Sequence, residues 1–252
     1  MAQFTIRIAG STARVNSLFE STRDYCRAYL TEQSPEFSIT VTRKDLEFEQ
    51  QALLEEALEE GFRVRKFTDP FLDRAAIQRK MADYLFEKDT LLFHGSAVAV
   101  DGNGYLFTAR SGTGKSTHTR LWRQVFGQRA VMINDDKPFL QITESGVMVC
   151  GAPWSGKHGL DTNIILPLKG ICVLERGCEN HIRKAFPEEL LPMLHKQSVP
   201  PSEPEKQKKF QSLVRKLAEK TPLWHLQCNK DPQAAEVAFG AMCQSEQIKG
   251  SG

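Results

Sequence analysis

Phe4, Ile6 and Ile8 alternate with Thr5 and Arg7, and Phe37, Ile39 and Val41 alternate with Ser38, Thr40 and Thr42. A period of two predicts half-buried strands in both places. Between them, Leu18, Tyr25, Cys26 and Tyr29 predict one face of a helix. Thr42 followed by Asp45 has capping-box spacing and predicts an acidic helix ending near Gly61. A second helix is predicted over Asp73 to Glu87, with Ile77, Met81, Tyr84 and Leu85 on one face, leading into a strand at Leu91-Leu92-Phe93. Proline disfavours helix at the residue before it, which places a boundary near Asp69-Pro70. The pattern separates a small α/β region, residues 1–70, from a larger domain, residues 71–249. The first region carries no recognisable catalytic constellation, and its apolar stripes read as core.

In the larger region Ala97-Val98-Ala99-Val100 and Tyr105-Leu106-Phe107-Thr108 read as strands joined by a tight Asp101-Gly102-Asn103-Gly104 turn. Leu121, Trp122, Val125 and Phe126 recur at helical spacing from Thr117 onward, and Gly127 closes that helix. A hairpin follows, Pro138 to Thr143 and Val147 to Cys150, turning at Glu144-Ser145-Gly146, then a strand from Gly170 to Glu175. The tail predicts a helix from Glu203 to Lys220, a strand from Leu223 to Leu226, a helix from Pro232 to Cys243 and a mobile Gly250-Ser251-Gly252 end. The order of elements predicts an α/β fold with a mixed sheet.

The second strand of the first hairpin runs directly into Ala109-Arg110-Ser111-Gly112-Thr113-Gly114-Lys115-Ser116, which matches a Walker A phosphate loop. Gly112 and Gly114 let the backbone curl so that N–H groups point at phosphate oxygens. Lys115 supplies a cation for the terminal phosphates, and the Ser116 hydroxyl is a Mg²⁺ ligand candidate. Ser111, Thr113 and Thr117 complete the nucleotide-binding set, with the helix N-terminus adding its dipole. A phosphate loop needs a second acidic element, and Val131-Met132-Ile133-Asn134-Asp135-Asp136 offers an apolar strand ending in paired carboxylates. One of them serves as metal ligand, for which Asp136 is carried forward, and the other as acceptor base; spacing alone leaves the division open. His94, before Gly95-Ser96, is tied to the loop by one hairpin and is within reach of the phosphate or metal.

Gly151-Ala152-Pro153-Trp154-Ser155-Gly156-Lys157-His158 imitates phosphate-loop spacing, but His158 replaces the metal-binding hydroxyl and Pro153 lacks an N–H. It reads either as a loop that covers the nucleotide or binds the acceptor, with Lys157 neutralising charge on the transferred group, or as a surface loop anchored by Trp154. Arg176 ends its strand as a bidentate phosphate clamp candidate or a structural ion-pair partner, with Arg183 a weaker candidate.

Composition adds exclusions. A net charge of +2 over 252 residues gives no broad nucleic-acid or membrane surface, and the run Lys206-Gln207-Lys208-Lys209 beside Glu203 and Glu205 reads as a solvated helix face. The six cysteines (Cys26, Cys150, Cys172, Cys178, Cys228, Cys243) form no C-x-x-C pair, so buried thiols in a cytoplasmic setting are expected.

His94, the loop Ser111 to Ser116 and the pair Asp135-Asp136, in this order, resemble the HPr kinase and phosphoenolpyruvate carboxykinase superfamily. The resemblance runs from His94 to Asp136, loosely on to Arg176, and leaves out residues 1–70. It implies a P-loop core of that kind and ATP- and Mg²⁺-dependent phosphoryl transfer to a hydroxyl, often of serine, on a protein, peptide or small molecule. Ser116 and one aspartate would then hold metal, the other aspartate would act as base, and His94 would lie near the transferring phosphate. The rival expectation is a nucleotide-sensing module or a partner-coupled ATPase without phosphotransfer. Oligomeric state is not legible.

Overall fold

The structure is a computed structural model that describes residues 1–59 and 66–244. The predicted helix end near Gly61 and the Gly250-Ser251-Gly252 end lie outside the described residues. The chain divides into two compact units, Met1–Leu85 and Phe86–Gly252.

In the first unit β1 (Ala2–Ile8) and β2 (Ser11–Ser17) form an antiparallel hairpin, turning at Ala9 and Gly10 with φ of 48° and 82°. A short α1 (Glu20–Tyr25) follows, then β3 (Phe37–Thr40), which joins β2 in parallel, then α2 (Arg43–Glu59) and α3 (Asp69–Glu87). The capping box is present: Thr42 N–H donates to Asp45 Oδ2 at 2.8 Å and Asp45 N–H to Thr42 Oγ1 at 3.4 Å.

Two expectations need correction here. β2 is a strand although only Ala13 and Val15 mark it as apolar, because it also buries Ser11, Thr12 and Ser17. The helix between the strands accordingly shrinks to six residues, and Tyr25 is exposed. The compact units divide at the far end of α3, and Asp69-Pro70 lies inside the first of them. Pro70 sits in the first turn of α3, where a missing N–H costs nothing. Asp73, fully buried, accepts hydrogen bonds from Ser17 Oγ and Thr22 Oγ1, both at 2.7 Å, and from Leu18 N–H at 3.0 Å. Those bonds tie the start of α3 to the first unit.

The second unit contains β4 (Thr90–Leu92), β5 (Ser96–Val100), β6 (Asn103–Thr108), α4 (Lys115–Phe126), β7 (Ala130–Asn134), β8 (Phe139–Ile142), β9 (Val147–Cys150) and β10 (Ile165–Arg176). β11 (His181–Ala185), α5 (Pro187–Gln197), α6 (Gln207–Lys220), β12 (Leu223–Cys228) and α7 (Gln233–Cys243) complete it. The sequence pattern misses β11 and α5. β11 pairs only with β12 and has an exposed, mostly polar sequence, while α5 carries Pro187 in its first turn and Pro192 inside.

The sheet is mixed, in the order β4-β8-β9-β10-β6-β5-β7, with β12 and β11 continuing from β10. β10 is long enough to serve two neighbourhoods. Ile165–Pro167 pair antiparallel with β9, and beyond an irregularity between Leu168 and Gly170 the strand runs parallel to both β6 and β12. Alternation along the strands feeds two cores. Leu106, Ala97 and Ala99 face one side, with Leu190 and Leu194 of α5 and Phe210, Leu213 and Leu217 of α6. Tyr105, Phe107, Val98 and Val100 face the other, with Leu121 and Trp122 of α4 and Ala234, Ala235 and Ala238 of α7. Among the described residues no helix is long and apolar enough to cross a membrane. The basic run is neutralised by ion pairs: Lys206 with Glu87 and Glu203, Lys209 with Glu87 and Asp89.

Trp122 is fully buried among Tyr105, Phe107, Phe126 and Phe239, with ring centroids 4.9 to 5.7 Å away. It fixes α4 against the sheet, and its Nε1–H donates to His118 Nε2 at 3.0 Å. Trp122→Ala should lower the unfolding free energy by about 3–5 kcal/mol, read as a drop in denaturant midpoint at unchanged slope.

Candidate nucleotide-binding site

β5 is antiparallel to both β6 and β7, so β6 and β7 point the same way, as do β10 and β12. The carboxyl ends of β6, β7, β10 and β12 therefore share one edge with the residues just before β5. The phosphate loop, the aspartate pair, Glu175-Arg176, Cys228 and His94 all emerge there. That end of an open α/β sheet is where ligands bind, because the strands deliver loops and helix N-termini to one crevice.

At the end of β6 the Thr108 hydroxyl donates to the His94 carbonyl at 3.0 Å, pinning the segment between β4 and β5 that carries His94 to the strand that launches the loop. Gly112 has φ of 76° and Gly114, the N-cap of α4, has φ of 128°. A Cβ on Gly112 would meet nothing within 4 Å, so glycine is needed there for backbone conformation and not for space. Lys115 folds back over the loop, its Nζ donating to the Ala109 carbonyl at 3.3 Å. His118 N–H donates to the Gly114 carbonyl at 2.9 Å as α4 begins. Sequence placed the start of this helix at Thr117; it starts at Lys115.

The aspartates are organised by a residue that sequence reasoning passed over. Asn134, the last residue of β7, is fully buried. Its Oδ1 accepts the N–H groups of Asp136 at 2.9 Å and Lys137 at 2.7 Å, while Nδ2 donates to the carbonyls of Ala152 at 2.7 Å and Trp154 at 3.3 Å. An amide at the end of an apolar strand, directly before two carboxylates, was the available signal.

The two carboxylates occupy different environments. Asp136 Oδ1 lies 3.4 Å from His94 Nε2. Burial would raise the Asp136 pKa, but the His94 hydrogen bond and the positive charges of Lys137, His94 and Lys115 outweigh it and hold the carboxyl below its usual range. Asp135 is pushed the other way. Burial raises its pKa, the Gly156 N–H at 2.5 Å from Oδ1 pulls it partly back, and the charge of Asp136 raises it again. A pair of neighbouring acids with pKa values driven apart suits two distinct roles.

The imitation loop bends over this pair. Gly151 is forced by packing, since a Cβ there would lie 1.8 Å from the Thr162 carbonyl oxygen. Trp154 is buried against Phe139, and Ser155 Oγ donates to Asp161 Oδ2 at 2.9 Å. The loop is anchored by its tryptophan, and Lys157 and His158 come to lie beside the phosphate loop. Lys115, Ser116, Thr117, Arg120, Lys157 and His158 line one cavity of about 490 Å³.

Arg176 lies against the phosphate loop. Its guanidinium donates to the carbonyls of Gly112 at 2.5 Å and Thr113 at 3.3 Å. It thus braces the loop by its carbonyls, the groups that face away from a phosphate nest. Beside it, a cavity of about 680 Å³ is lined by Arg110, Ser111, Glu175, Arg176 and His225. Arg183 pairs with Glu189 on the surface.

Among the described residues no group of three or more His, Cys, Asp or Glu is arranged to hold a metal ion. Mg²⁺ typically takes one or two side-chain oxygens and completes its sphere with substrate phosphates and water. An ionised Asp136 and the exposed Ser116 hydroxyl fit that chemistry.

No protein-family model matches the chain, and no curated protein matches it significantly. Among solved structures, the HPr(Ser) kinase/phosphatase from Coxiella burnetii is similar over 62% of this chain and 98% of its own, at 10% identity and a TM-score of 0.38. The functional reading rests on the geometry of the site itself.

The opposed environments give opposed stability effects. Folding raises the Asp135 pKa above 3.8, so the stability present at low pH is lost as pH rises through the folded value. Asp135→Asn retains an acceptor for Gly156 N–H and should raise the thermal midpoint at neutral pH, with no gain below about pH 3.8. Folding lowers the Asp136 pKa, so its contribution is present above 3.8 and lost as pH falls through the folded value. Asp136→Asn should lower the midpoint at neutral pH, and the deficit should close in acid. Thermal melts of both variants across pH check the signs.

Proposed function

We propose that this protein is a kinase that uses ATP and Mg²⁺ to phosphorylate a hydroxyl group on an acceptor. The observation that carries the reading is the convergence of a phosphate loop opening α4 with the Asp135-Asp136 pair and His94 at one sheet edge. A bare nucleotide-binding module has no need of a second carboxylate with a raised pKa beside an ionised one.

In this reading the loop amides and Lys115 hold the β- and γ-phosphates, with Ser116, Ser111, Thr113 and Thr117 around them. Asp136 and Ser116 would hold Mg²⁺, which would neutralise charge on the phosphates. The acceptor hydroxyl oxygen attacks the γ-phosphorus, its proton passes to the Asp135 carboxylate, and the bond to the β–γ bridging oxygen breaks to leave ADP. Asp135 suits the base because burial raises its basicity. His94 holds the Asp136 carboxylate in place and lies beside the transferring group. Arg176 acts by positioning, holding the loop carbonyls outward so that the amides face the nucleotide. The acceptor is a protein, a peptide or a small molecule; no nucleic-acid or membrane surface is implied, and a cytoplasmic location suits the thiols.

Lys115→Ala should reduce Mg²⁺-dependent ATP turnover by about 10²–10³-fold. Asp135→Asn should reduce it by about 10²–10⁴-fold while nucleotide binding is kept. Incubation with labelled ATP and host extract, followed by mass spectrometry, should reveal a phosphorylated acceptor. Failure of the purified protein to bind any nucleoside triphosphate would falsify the reading. Binding without any phosphorylated product would favour a sensor, and hydrolysis alone a partner-coupled ATPase.

A further inference from the structure

The cavity lined by Lys115, Ser116, Thr117, Arg120, Lys157 and His158 has a composition that phosphate binding alone does not explain. Its lining contains no carboxylate. Lys115 and the loop amides already serve the nucleotide. Arg120 lies on the same face of α4 as Ser116, four residues on, which is one helical turn or about 6 Å further along the axis. It is set back along α4 from the loop that opens the helix, and it lines the same cavity as Lys115 and Lys157.

Lys157 approaches from the opposite side, and its position is not incidental. The preceding residue, Gly156, is fixed by its N–H bond to Asp135 Oδ1, and a Cβ on Gly156 would stand 3.3 Å from that oxygen. The loop behind it is held by both carbonyl contacts of Asn134. Lys157 is thus carried on a rigid support directly beside the carboxylate that receives the acceptor proton. Arg120 and Lys157 form no ion pair among the described residues, and both remain exposed to the cavity.

Asp135 meets the covering loop at Gly156, the residue before Lys157, so an acceptor hydroxyl at Asp135 would lie next to the cavity that Lys157 and Arg120 line. We propose that the acceptor is a small hydroxyl compound bearing a carboxylate or phosphate, and that Arg120 and Lys157 bind that anionic group. The inference rests on the kinase reading and narrows its acceptor. The cations also offset the repulsion that Asp135 and Asp136 exert on an anionic substrate. The cavity volume of about 490 Å³, shared with the terminal phosphates, suits a compact anion.

The test uses full-length protein loaded with Mg²⁺ and the non-hydrolysable β,γ-imido analogue of ATP, so that the γ-phosphate position is filled. Calorimetric titration with glycerate, glycerol 3-phosphate and neutral glycerol then reads the acceptor side alone. Binding of glycerate indicates a carboxylate-bearing acceptor and binding of glycerol 3-phosphate a phosphate-bearing one; either supports the proposal if glycerol binds at least tenfold more weakly. Arg120→Ala and Lys157→Ala should each weaken the anion at least tenfold, and by a larger factor than either weakens the analogue. Arg120→Lys should restore part of the loss. Equal binding of the three probes, no binding of either anion, or anion binding indifferent to both variants overturns the proposal while the kinase reading stands. Failure to bind the ATP analogue overturns both.

Discussion

One buried carboxamide holds the candidate site together. Asn134 has four hydrogen bonds to satisfy at the end of β7, and the fold gives it partners on both sides: the turn that carries Asp136, and the loop that carries Lys157. A buried amide that lost one set of partners would bear an uncompensated desolvation cost, so the two segments are coupled. The acidic pair and its covering loop are therefore one structural unit, although 15 or more residues separate them in the chain.

The sheet supplies the rest of the geometry. Because β5 runs against both of its neighbours, one edge collects the ends of β6 and β7 and the start of β5. The phosphate loop leaves that edge through two positive-φ glycines, and α4 is then locked down by Trp122 on its buried face. Rigid packing behind the loop and conformational freedom within it sit next to each other. That division lets backbone amides be aimed without strain in the helix that follows.

Electrostatics then differentiates two chemically identical side chains. Asp136 faces His94, Lys137 and Lys115, and its charge is favoured; Asp135 is turned into the protein against Gly156 N–H, and its charge is disfavoured. The ionised acid suits a cation and the more basic acid suits a proton. Asp135 carries a cost to stability at neutral pH, because burial disfavours its charge.

Much of this was legible along the chain. The Ala97–Thr108 hairpin, the glycine-rich loop, the helix after it and the paired aspartates follow from local chemistry: turn residues with positive φ, period-two strands and an amphipathic helix. The strand β2 and the elements β11 and α5 were not legible, since polar residues and prolines hide their pattern and only partners elsewhere in the fold stabilise them. The same limit applied to the site. Sequence determined which groups exist: a phosphate nest, a lysine, a hydroxyl, two carboxylates and a histidine. Tertiary structure decided which of them meet. It turned Arg176 onto the loop carbonyls, drew the imitation loop over the aspartates and set their pKa values apart, because contacts and burial between distant segments arise only when the sheet brings its strand ends to one edge.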